Sequence, residues 1–195
     1  MSKMTDLKKF LEENKEKIHD VLNHMWHTIE RIAIRLEGKI PDIDLDNSHG
    51  NFIEIADGWL ESYYANPSLA FPFGEIGYSL DGLFCVFSID AKKINEDLIV
   101  KITELSRDNE SITCQIYGLD DCFTTLYHSK DTEDFDELLK SIKKSKEDVL
   151  QLEISIEAFP EENDMESFIE SSLILYQFLE ENKTLVKLPM YEAEK

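Results

Sequence analysis

At 195 residues the chain has the length of one ordinary domain, and 20 Lys and Arg against 41 Asp and Glu leave it a net charge of −21. That charge repels phosphate backbones and anionic lipid, so nucleic acid and membrane are excluded as expected partners, while basic proteins, metal ions or plain solubility remain. The Cys residues at 85, 114 and 122 sit in apolar runs, the first ten residues are too polar for a secretory leader, and no apolar run has membrane-spanning length, so a cytoplasmic protein without disulfides is expected.

Apolar residues at 7, 11, 18, 21, 22, 25, 29, 32, 33 and 36 recur every three or four positions and predict an amphipathic helix over about 5–37, which Gly38 and Pro41 stop. At 1.5 Å per residue it would be near 45 Å long, wider than a domain of this size, so it either crosses the whole sheet, breaks near Asn14 or projects to a partner. Asp20, His24 and His27 lie opposite the apolar stripe, spaced to give a divalent metal two or three ligands. The competing reading is a solvated polar face with an Asp20–His24 pair.

Asp42, Asp44 and Asp46 match the first, third and fifth positions of an EF-hand loop, but Asn47 replaces the required Gly and Ile53 the bidentate Glu, so an acidic surface loop is expected. Asp57-Gly58 then predicts a two-residue hairpin joining Ala56 to Trp59. Its register sets Glu54 against Glu61, an unfavourable like-charge pair, with Trp59 and Tyr63 close by. A bulged turn, a solvated pair, or a site for a cationic group, metal or shared proton would each account for it. Glu54, Trp59, Glu61 and Tyr63 are the candidate binding surface.

The apolar stretch 70–90 predicts a second hairpin, turning at Asp81-Gly82, with Leu80 opposite Leu83, Tyr78 opposite Cys85 and Ile76 opposite Phe87. Residues 83–89 are apolar on both faces, as suits a central strand covered from two sides. Gly77 and Ser79 leave room above Phe84 and Val86, for a packed helix or for a ligand groove. Further on, Asp90 caps a helix over about 91–106, and 112–117 reads as a strand, so that the passage has the form of a parallel crossover. A helix over 131–145, a strand over 149–157 with Gln151, Glu153, Ser155 and Glu157 on a wet face, and a broadly apolar helix over 164–182 follow. That last helix is centrally buried or joins an oligomer contact, burial being favoured. Residues 184–188 read as a short edge strand.

Nucleophilic chemistry finds little support. Cys114, Cys122 and His128 are near one another in sequence, but both Cys read as small core hydrophobes. Gly74-Glu-Ile-Gly77 lacks the Lys and Ser/Thr of a phosphate loop and enters a strand rather than a helix.

Gly58-Trp59, the run 63–67 (Tyr-Tyr-Ala-Asn-Pro), the run 73–77 (Phe-Gly-Glu-Ile-Gly) and the run 82–87 (Gly-Leu-Phe-Cys-Val-Phe) resemble, over residues 50–90, a family of uncharacterised archaeal proteins carrying a domain of unknown function. The resemblance implies an α+β fold and no activity. The expected architecture is one domain over 1–195, with the sheet and its helices within about 51–188. It is a mixed, largely antiparallel sheet of about five or six strands covered by three or four helices, including the long N-terminal one. The expected function is a non-catalytic interaction or regulatory module, of immunity or inhibitor type for example, whose acidic surface meets a basic protein partner, as monomer or homodimer and without cofactor. A metal-binding protein or metal-dependent enzyme using Asp20, His24 and His27, or Glu54 with Glu61, is the alternative.

Overall fold

The structure, a computed structural model, describes residues 9–10, 12–43, 48–49, 55–56, 59–60, 68–79, 81–118, 125–129, 140, 142, 148–157 and 160–188. In chain order the elements are α1 (Lys15–Leu36), β1 (Ser48–His49), β2 (Ile55–Ala56), β3 (Trp59–Leu60), β4 (Ser68–Phe71), β5 (Gly74–Tyr78), β6 (Gly82–Asp90), a single 3₁₀ turn (Ala91–Lys93), α2 (Glu96–Asp108), β7 (Thr113–Tyr117), β8 (Thr125–His128), β9 (Val149–Glu157) and α3 (Glu162–Glu181). Among the described residues seven strands form one sheet in the order β1-β4-β5-β6-β9-β7-β8, and β2 pairs with β3 alone. Every described pairing is antiparallel.

Strand β9 lies between β6 and β7 and pairs antiparallel with each, so β6 and β7 run in the same direction without touching. The β6–α2–β7 passage is thus a crossover between parallel strands, but a later strand fills the space between them. The parallel crossover read from the sequence is present, and the alternation in residues 149–157 explains the inserted strand. Leu150, Leu152, Ile154 and Ile156 supply one buried face opposite Ile89, Phe87, Cys85 and Leu83 of β6, while Leu152 and Ile154 also meet Ile116 and Cys114 of β7.

Helices α1, α2 and α3 pack on that face. Helix α1 sits on β4 and β5, α2 on β7, and α3 lies on β9 between them, touching both. The rings of Phe71, Phe87 and Tyr176 carry the contact inward, with centroids 6.0 Å apart for Phe71–Phe87 and 6.3 Å for Phe87–Tyr176. The broad apolar surface of α3 is used up here: Met165, Phe168, Ile169, Leu175, Tyr176 and Leu179 are buried and Leu173, Ile174 and Phe178 half-buried against the core. Arg31 and Arg35 on the outside of α1 pair with Glu162 and Glu166 of α3.

Element ends follow local chemistry. The long N-terminal helix is present, and its regular part, α1, follows a single turn residue, Asn14, whose side chain donates 2.8 Å to the carbonyl of Phe10; helical residues precede it at 9–10 and 12–13, and backbone bonds of 3.1 Å from Asn14 N–H to Phe10 O and 3.0 Å from Ile18 N–H to Asn14 O carry the helix across it. The turn falls where one of the three expected outcomes placed a break. Gly38, at φ +70°, ends α1 in the left-handed conformation that glycine adopts without strain. Asp90 does cap a helical turn, accepting 2.9 Å from the Lys92 amide, but only the 3₁₀ turn; α2 begins afresh at Asn95, whose side chain accepts 3.0 Å from Leu98 N–H. The short edge strand expected at 184–188 is reduced to a single antiparallel bridge. These residues lie beside β6 past the end of β5, bridging Leu185 to Ile89, with Val186 N–H donating to Ser88 O at 2.9 Å and Leu188 N–H to Pro72 O at 2.8 Å. The expected helix over 131–145 is described only at Lys140 and Ile142, both helical.

The central hairpin closes one residue pair earlier than Asp81-Gly82 suggests. Ser79 and Gly82 exchange backbone hydrogen bonds of 2.9 and 3.3 Å, so Tyr78 stands opposite Leu83 and Ile76 opposite Cys85. Gly82 is drawn out of the turn into β6, at φ +145°, because β9 approaches so closely that a Cβ there would lie 1.8 Å from Ile156 O. The displacement keeps every side chain on its expected face. In the small sheet, the described pairs Ile55–Leu60 and Ala56–Trp59 have the register that Asp57-Gly58 predicts.

Candidate functional site

The face of the sheet turned away from α1, α2 and α3 is built from the alternate residues of β5, β6, β9 and β7. Pairing sets them in rows across the strands: Gly77, Phe84, Ser155 and Thr113 in one; Glu75, Val86, Glu153, Gln115 and His128 of β8 in the next; Ser88, Gln151 and Tyr117 in the third. Cover changes along this face. Ser88 and Gln151 are buried, and Gln151 Nε2 donates 3.2 Å to Ser88 Oγ, so the polar pair satisfies itself. Towards the β5–β6 turn the face opens, with Glu75 and Glu157 exposed and Phe84, Tyr117, Glu153 and Ser155 half-buried. The expectation that β6 is covered from both sides therefore holds at its Val86–Ser88 end and gives way to half-exposure at Phe84.

A groove of about 550 Å³ follows this open part. Its polar lining includes Glu75, Asp81, Gln115, His128, Glu153 and Glu157, its apolar lining Phe84, Val86 and the Tyr117 ring, and no Lys or Arg lines it among the described residues. Among the described residues the room foreseen above Gly77 is filled by an aromatic side chain of the same hairpin. The ring of Phe84 lies across it, with three ring carbons 2.2–2.8 Å from where a Gly77 Cβ would stand. The aromatic thus shields the bare glycine backbone and forms part of the groove floor.

Glu75 and Glu153 flank Val86 on neighbouring strands, which places their Cα atoms about 10 Å apart at the usual strand spacing. Glu153 is oriented from its side: Gln115 Nε2 donates 2.8 Å to Oε1, and the Tyr117 hydroxyl makes a longer 3.5 Å contact with Oε2. Burial, and after it the negative charge of Glu153 and Glu75, holds the Tyr117 hydroxyl well above the ordinary phenol range. It is a hydrogen-bond donor here and not a base. The arrangement concentrates negative charge beside aromatic surface and suits a cation.

The residues singled out from sequence lie elsewhere. Asp20, His24 and His27 are exposed on α1; His27 Nδ1 is 2.9 Å from Glu30 Oε2, and the His24 ring meets Tyr78 edge-on at 6.2 Å. Among the described residues no three His, Cys, Asp or Glu side chains gather as a metal site would require. Glu54, Glu61, Tyr63 and the side chain of Trp59 lie outside the described residues, as do Asp44, Asp46 and Cys122. Cys114 and His128 cannot act together, since Cys114 is buried on the helix-covered face whereas His128, opposite Gln115, belongs to the other. Burial pushes the Cys114 thiol up to about 11 and the Cys85 thiol upward too, as expected for core cysteines. The groove residues Glu75, Phe84, Tyr117 and Glu153 were missed. The alternation of residues 149–157 was readable, although Gln151, expected on the wet face, is buried against Ser88 and only Glu157 is fully exposed; the strand order that places Glu153 beside Val86 and Gln115 was not.

No helix among the described residues is long and apolar enough to cross a membrane. In overall shape the chain is similar to a conserved hypothetical protein, Pfu-178653-001, from the archaeon Pyrococcus furiosus, with a TM-score of 0.61 and 21% identity, over 85% of this chain and 98% of that one. At that identity the likeness shows the fold alone. No curated protein matches the chain. Residues 20–174, which run from within α1 through most of α3 and include the described groove lining, match the family described as protein of unknown function (DUF3201), and the chain belongs to that family.

Proposed function

We propose that this protein is a non-catalytic interaction module and that the sheet face turned away from α1, α2 and α3 receives a basic protein partner. The supporting observation is the row Glu75–Val86–Glu153, two carboxylates astride an apolar floor, in a groove whose described lining holds no Lys or Arg. A net charge of −21 adds long-range attraction for a basic protein, speeding encounter and weakening with salt. The groove is the specific part of that attraction; the rest of the acidic surface is its unspecific part.

The test is capture of basic proteins by the full chain at low and high salt, beside the isosteric double variant Glu75→Gln/Glu153→Gln. A basic partner retained by the wild type, released by salt and lost from the variant is the expected result. Equal capture by both proteins, or capture that salt leaves unchanged, contradicts the reading.

A further inference from the structure

We infer that the middle row of the groove holds an arginine side chain presented by an extended basic segment of the partner, a reading that rests on the proposed function and specifies its ligand. Two independent features of the groove converge on a planar cation. The first is the carboxylate pair. Glu153 is held from one side by Gln115 at 2.8 Å, which leaves lone pairs on both of its oxygens for further donors, and Glu75 stands across Val86 from it. A guanidinium carries five N–H donors in a rigid fork and can serve Glu153 with one edge and Glu75 with the other; an ammonium is a point charge and must choose a position.

The second feature is the Phe84 ring. Because it is laid down over Gly77, with Cζ, Cε1 and Cε2 all close to that glycine, one face is turned to the sheet and the half-exposed ring offers the other to the groove. Tyr117 supplies further aromatic surface beside Glu153. Flat rings beside carboxylates favour stacking of a guanidinium, which is also more weakly hydrated than an ammonium and so loses less on entering a half-buried site. A metal ion fits poorly, for among the described residues no three ligand side chains gather. An extended segment is the natural carrier, because its alternate side chains point the same way and would keep an arginine in the groove with its neighbours along the rim.

The experiment measures binding of three labelled peptides, alternating valine with arginine, lysine or citrulline, and of spermine, to the full chain. The proteins are the wild type, Glu75→Gln/Glu153→Gln, Phe84→Leu, and a control, Glu180→Gln/Glu181→Gln, altered on α3 away from the groove; circular dichroism confirms that all are folded. The arginine peptide should bind at least about fivefold more tightly than the lysine peptide, with citrulline weakest. The groove variant should lose about tenfold or more for arginine, Phe84→Leu should erase the preference over lysine, and the control should match the wild type. Equal affinity for arginine and lysine, or spermine binding as tightly as the arginine peptide, overturns the inference while leaving the basic-partner reading in place; binding that the groove and control variants weaken alike overturns both. Failure of the wild type to bind any of the cationic peptides overturns both.

Discussion

The ring of Phe84 lies flat over Gly77, so close that a Cβ at the glycine would stand 2.2 Å from the ring's Cζ. One strand supplies the aromatic and its neighbour supplies the gap. Gly77→Ala must push the ring aside, but the obstacle is the far end of a side chain, so the expected cost is roughly 1 kcal/mol. Gly74→Ala meets the backbone carbonyl of Val86 at 1.8 Å and should cost about 3 kcal/mol or more, since neighbouring strands must separate. Chemical denaturation of both variants, and of Gly77→Ala in a Phe84→Ala background, checks this. The alanine penalty at residue 77 should largely vanish once the ring is gone.

Phe87 carries more of the core than any exposed apolar residue. It is fully buried between Phe71 and Tyr176, so Phe87→Ala should lower stability by about 3–5 kcal/mol. Val100, 40% exposed on α2, should change it by less than about 0.5 kcal/mol when replaced by Ala. Paired urea titrations separate the two outcomes.

Alkaline pH should destabilise the fold. The Tyr176 ring is buried while its hydroxyl donates to Glu180 Oε1 at 3.1 Å; desolvation first, and then the carboxylate, raises its pKa from 10.0 to about 12. The fold favours the protonated phenol, so this contribution is complete below pH 10 and is lost as pH rises from 10 towards about 12. Cys114, raised from 9.0 to about 11, acts in the same sense from pH 9 upward. Melting temperature followed from pH 8 to 11 should fall, and Tyr176→Phe should flatten the upper part of that fall.

The cysteines of the core should be inert. Cys85 and Cys114 are buried and their thiols are held in the protonated form, so in the native protein neither should react with a thiol reagent at neutral pH, and both should react after unfolding. Buried Ser172 Oγ has only the Cys85 thiol, a weak hydrogen-bonding group, as its neighbour among the described residues, so Ser172→Ala should be neutral or slightly stabilising. Mass spectrometry of labelled peptides and a melting curve of the variant measure these two expectations.

The helix-covered face was legible in the sequence because its signals are local. Alternation in residues 149–157 and the three-and-four spacing in residues 18–36 each require only one element to be read. Facing was also right in the central hairpin although the turn was displaced, since a shift of one residue pair leaves every side chain on its side. The groove was not legible, because it depends on β9 entering between β6 and β7. That order brings Glu75, residue 86 and Glu153 into one row from three separate stretches of chain. Within each strand Glu75 and Glu153 are ordinary outward residues. The Asp20, His24 and His27 spacing, by contrast, was readable but is the kind that any solvated helix face produces.

The central proposal is that a basic segment docks along the sheet face turned away from α1, α2 and α3, over Val86. Titrating isotope-labelled protein with the arginine–valine peptide and following backbone amide shifts tests it most directly. The account predicts that the largest changes fall on residues 75, 84, 86, 115, 117 and 153, with α1 and α3 barely affected. Changes centred on the acidic outer surfaces of the helices, with those residues unmoved, would contradict it.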